Sequence, residues 1–77
     1  MGKISILPVL KHSYVDFRGA NASEVILSTD SGERLEVIRV SKMKNVLINM
    51  SNYASGCYYI IVKIGSRIIF SQKVKIK

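Results

Sequence analysis

Apolar and polar residues alternate with a period of two along most of this chain, which is the spacing of a half-buried β-strand and not of a helix. The plainest case is FSQKVKIK, where Phe70, Gln72, Val74 and Ile76 fall on one side and Ser71, Lys73, Lys75 and Lys77 on the other. No long window holds a helical stripe. The pattern predicts six or seven short strands, with turns every eight to twelve residues.

Ile4 and Ile6 alternate with Ser5 until Pro8, which suits an edge strand or a strand entering a bend, because proline cannot donate to a ladder. The polar run Lys11-His12-Ser13 reads as a connection. Val15 and Phe17 then share a face, and Gly19 to Ser23 turns the chain. Val25 and Leu27 form the next inward row, followed by Asp30-Ser31-Gly32, a hairpin turn whose glycine can take a positive φ. The returning strand puts Leu35 and Val37 on one face but Ile38 and Val40 on the other, so a bulge or two-sided burial is expected near Val37.

Val46, Ile48 and Met50 form another inward row. After the loop SNYASG comes CYYIIVKI, with Tyr58, Ile60, Val62 and Ile64 facing one way and Tyr59 and Ile61 the other, the two-sided apolarity of a central strand. Gly65-Ser66 is a two-residue hairpin turn into the last strand. Together these elements predict an all-β, immunoglobulin-like antiparallel β-sandwich of about seven short strands.

A chain of 77 residues has room for one domain and buries only roughly 60% of its unfolded surface. Met1-Gly2 reads as a start added to an excised piece, leaving residues 3–77 as the domain, and no secretory leader is apparent. The formal net charge is +7 and unevenly spread: all five acids lie at or before Glu36, and every charged residue from Arg39 onward is basic. Such a half invites an anionic partner, whether nucleic acid, an acidic lipid headgroup or an acidic protein surface. The plainer reading is a solvated face with lysines guarding strand edges.

The composition argues against an enzyme. Cys57 and His12 are the only cysteine and histidine, Cys57 opens an apolar run and is expected to be buried, and a sandwich this small has no room for a catalytic cleft. No cysteine-based metal site can be built, the acids show no ligand spacing, and no cofactor is called for. Nucleic-acid binding is disfavoured, because Phe17, Tyr53, Tyr58, Tyr59 and Phe70 mostly fall in core phase and lysine outnumbers arginine.

Two segments carry a resemblance. VILSTDSGERL (Val25 to Leu35) resembles the middle motif, and INMSNYASGCYYIIVKIGSRIIFSQKVKIK (Ile48 to Lys77) the end motif, of the C-terminal sorting domain of the type IX secretion system of Bacteroidota. The family's Gly-x-Tyr is matched by Gly56-Cys57-Tyr58, its glycine turn by Gly65, and its terminal lysine motif by Lys73-Val74-Lys75-Ile76-Lys77. Of its opening Tyr-Pro-Asn-Pro only Pro8 is kept, with Leu7, Val9 and Leu10 at the other positions, so the chain is identified as a divergent member.

The resemblance implies an immunoglobulin-like sandwich in which Gly32 and Gly56 serve the backbone and Tyr58 is a candidate tyrosine corner, its hydroxyl bonding back to the loop. It further implies an address: a domain that directs its parent protein from the periplasm through the outer membrane, for surface attachment, retention or secretion. The implied partners are translocon and sortase proteins, and anionic lipopolysaccharide. On this reading the displayed signal is Lys73, Val74, Lys75, Ile76 and Lys77, and an unpaired edge there can bind by strand addition or pair two copies of the domain. The rival reading is a basic module for lipopolysaccharide or nucleic acid.

Overall fold

In a computed structural model describing residues 3–77, the alternating segments become seven strands with no helix: β1 (Ser5–Val9), β2 (His12–Asp16), β3 (Glu24–Thr29), β4 (Arg34–Arg39), β5 (Asn45–Asn49), β6 (Gly56–Ile64) and β7 (Arg67–Ile76). Met1 and Gly2, read as an added start, lie outside the described residues. All pairings are antiparallel, and the strands divide into a three-stranded sheet, β1-β2-β5, and a four-stranded sheet, β4-β3-β6-β7. The predicted β-sandwich is the observed architecture. Lettered in chain order the sheets are ABE and DCFG, so the fourth strand sits in the sheet opposite to the one it joins in an immunoglobulin constant domain.

The core lies between the sheets and is filled by the inward rows that the alternation marked. Val15 and Ile48 come from one sheet, Val25, Leu27, Ile60, Val62, Val74 and Ile76 from the other, and Phe17 and Met50 from just beyond the ends of β2 and β5. Ser13 is buried in the same layer and its hydroxyl donates to the Met50 sulfur at 3.1 Å. No buried side-chain polar atom among the described residues lacks a partner, as a small domain with little stability to spare requires.

Several details depart from the alternation. β1 runs through Pro8 to Val9, an edge strand as expected, but the connection that follows is only Leu10-Lys11; His12 is the first residue of β2 and pairs with both Val9 and Asn49. Ile26, in the outward phase of β3, is 2% exposed, because β3 is central and Ile26 stands between Val37 of β4 and Ile61 of β6. The bulge expected near Val37 falls at Leu35, the extra residue where Leu27 pairs with Glu36 but Ser28 pairs with Arg34. Val37 itself is 48% exposed.

The β3–β4 turn follows the predicted chemistry. Gly32 has a φ of +95° and donates its amide to the Thr29 carbonyl, while the Thr29 amide donates to Glu33. The Gly65-Ser66 turn joins β6 to β7, with Ile64 and Arg67 paired across it.

Candidate functional site

β7 has the clearest alternation in the chain and it lies at an edge, paired with β6 on one side only. Its two faces divide the five residues of the terminal lysine motif. Val74 and Ile76 are each 4% exposed and belong to the core, whereas Lys73, Lys75 and Lys77 are exposed. The lysines therefore make a surface, and the two aliphatic residues hold the strand that carries it.

The free side of β7 faces β1, the edge of the other sheet, and no ladder joins them. One bridge does: the Gln72 side-chain amide donates to the Ile6 carbonyl at 3.1 Å. Beyond that bridge an open groove of about 560 Å³ separates the strands, lined by Pro8, Leu10 and Lys11 on one wall and by Lys73, Val74, Lys75 and Lys77 on the other. Pro8 thus lies in the groove wall, on an edge strand where its missing N–H is tolerated.

Among the described residues, every charged residue of the groove is a lysine. Of the five acids, Asp16 pairs with Arg18 at 3.4 Å and Glu24 with Lys63 at 3.6 Å, and neither ion pair uses a groove lysine. The charge asymmetry of the sequence becomes a local excess of positive charge beside an apolar floor.

Leu10 is the residue that sequence reasoning missed. It sits at the tip of the β1–β2 hairpin with a φ of +56° and is 95% exposed. Two-residue hairpin turns favour asparagine, aspartate or glycine at such positions, and a leucine there is strained. Without those residue types Leu10-Lys11 gave no turn signal, and Leu10 looked like one more aliphatic near Pro8.

Tyr58 lies just after Gly56 at the start of β6, and its hydroxyl donates to the Ala54 carbonyl at 2.5 Å, the bond a tyrosine corner makes. Its ring meets Tyr53 with centroids 6.1 Å apart. Tyr58→Phe keeps this ring contact and loses the hydrogen bond, so stability should fall by about 1 kcal/mol. For a domain of this size a thermal melt should register that as a drop of roughly 4–8 °C.

The Tyr53 hydroxyl in turn donates to Glu36 Oε1 at 2.7 Å, tying the β5–β6 loop to β4. This bond, together with slight desolvation and the nearby carboxylate charge, raises the Tyr53 pKa above its ordinary 10.0. A phenol whose pKa is higher folded than unfolded contributes stability at lower pH and loses it as pH rises through the folded value. Denaturant titrations across pH 9 to 12 should show an alkaline loss that is smaller in Tyr53→Phe.

Cys57, expected to be buried, is only partly so; it takes the outward phase of β6 opposite Lys75. His12 takes the outward phase of β2 in the other sheet, so the two do not meet as a nucleophile and base. Among the described residues no three of His, Cys, Asp and Glu cluster as metal ligands would. The chain matches no protein-family model, and the searches of curated proteins and of solved structures found no match.

Proposed function

We propose that this domain is an address, a sorting domain of the type IX secretion kind, recognised in its folded state through the exposed side of β7. The observation that carries the proposal is the division of that strand into a buried row and a lysine row at an unpaired sheet edge. A seven-strand sandwich is the fold the sequence resemblance implies, and the positions resembling the family's Gly-x-Tyr contain a tyrosine whose hydroxyl returns to the preceding loop. On this reading translocon and sortase proteins are the partners, and transit runs from the periplasm to the cell surface.

The test is a fusion of the whole chain behind a periplasmic signal and a fluorescent reporter, expressed in a strain with a working type IX system and in one without. Surface fluorescence that requires the system supports the proposal. A reporter held in the periplasm of both strains contradicts it.

The four lysines lining the groove favour a second reading, a basic module for an anionic partner such as lipopolysaccharide or nucleic acid. Binding of this kind weakens steeply with salt. If it is the function, charge reversal at Lys73, Lys75 and Lys77 abolishes binding to that partner, and the reporter does not depend on the secretion system.

A further inference from the structure

We infer that the groove between β1 and the end of β7 receives an extended, acidic polypeptide segment in which carboxylates alternate with apolar side chains. The inference rests on the reading of β7 as a recognition edge and specifies what that edge recognises.

Three features of the groove converge on this occupant. Its walls are two strand edges that face each other with no ladder between them beyond the Gln72–Ile6 bridge. A strand edge carries backbone donors and acceptors that an added extended segment can satisfy. Pro8 removes a donor from the β1 wall, so β7 is the side to which such a segment adds.

The charges repeat with the period of a strand. Lys73 and Lys75 in β7 and Lys77 just past its end recur at every second residue, an interval of about 6.6 Å in an extended chain. An extended partner repeats its side chains at the same interval, so carboxylates at alternate positions meet successive ammonium groups. Lys11 adds a fourth positive charge from the opposite wall.

The third feature is Leu10, held in a strained backbone conformation with nearly all of its side chain in water. With the exposed Pro8 it gives the groove an apolar surface for the side chains between the partner's carboxylates. Strain and apolar exposure at one residue cost stability in the free domain, and occupancy of the groove returns part of that cost by covering the leucine.

The test uses the full chain, labelled for amide NMR, and synthetic peptides. One peptide alternates glutamate and valine; a second has the same composition with the glutamates in one block. The alternating peptide is expected to shift the amides of Leu10, Lys11 and residues 73–77, and to bind about tenfold more tightly than the blocked one. Lys75→Glu should weaken it by a similar factor, and raising the salt should weaken it further. Leu10→Asn supplies a variant expected to fold, since asparagine suits the positive φ, and it should bind more weakly while its spectrum stays dispersed.

Equal binding of the two peptides, or shifts confined to residues outside the groove, would overturn the inference. So would tight binding to phosphatidylglycerol vesicles with no response to either peptide, which would make the site a lipid surface. A reporter that reaches the cell surface while no peptide binds leaves the sorting reading standing and removes this one. Peptide binding without display removes the sorting reading alone.

Discussion

Removal of residues 73–77 is expected to unfold the domain and not simply to erase a signal. Val74 pairs with Tyr58 and Ile76 with Gly56, and both aliphatic side chains are packed in the core. Burial of one such side chain is worth about 1.5–3 kcal/mol, so the pair represents roughly 3–6 kcal/mol before any ladder hydrogen bond is counted. Total stability for a chain this long is about 4–12 kcal/mol. Truncation should therefore collapse amide dispersion and abolish the cooperative melt. Replacement of Lys73, Lys75 and Lys77 by glutamine touches only exposed positions and should leave the melt close to that of the parent. A truncated chain that melted like the parent would mean that Val74 and Ile76 are not part of the core. Loss of export after truncation consequently says nothing about recognition, whereas loss after the glutamine substitutions does.

Ile60→Ala is expected to destabilise the domain severely. Ile60 is 0% exposed, lies in the middle of β6, and is paired between Leu27 of β3 and Gln72 of β7. Truncation of a buried isoleucine to alanine costs about 2–5 kcal/mol, because the surrounding side chains close only part of the cavity. With roughly 4–8 °C lost per kcal/mol, the melting temperature should fall by about 8–40 °C. Val37→Ala, on an exposed position of the edge strand β4, should stay within about 0.5 kcal/mol. Urea denaturation of the two variants measures the contrast, and similar midpoints would contradict the assigned core.

The contrast between these two valine and isoleucine positions also shows what the sequence could and could not convey. Alternation identifies the phase of a strand, so the inward rows Val25–Leu27, Ile48–Met50, Tyr58–Ile60–Val62 and Val74–Ile76 were legible without the fold. Glycine and its neighbours mark turns that need a positive φ, and both Gly32 and Gly65 have one. Phase does not name a neighbour, however. Ile26 and Val37 are both outward, and only the central place of β3 buries the first and leaves the second exposed.

The candidate site was half legible for the same reason. Its β7 wall could be read from the lysine alternation. Its β1 wall could not, because Leu10 breaks the usual residue preference of its turn and because nothing local says that the first and last strands form facing edges. His12 was misread as loop through the same unmarked turn, and Cys57 was expected inside although its phase is opposite to that of Tyr58.

Recognition of the folded domain through the lysine row of β7 is what the proposed function requires. Its most direct test is surface display of the reporter fused to the parent chain and to the variant with glutamine at positions 73, 75 and 77, in the strain with a working type IX system, after matched melts have shown both domains folded. The parent should be displayed and the variant retained in the periplasm. Equal display of the two would contradict the proposed function, because the exposed lysines of β7 would then have no part in recognition.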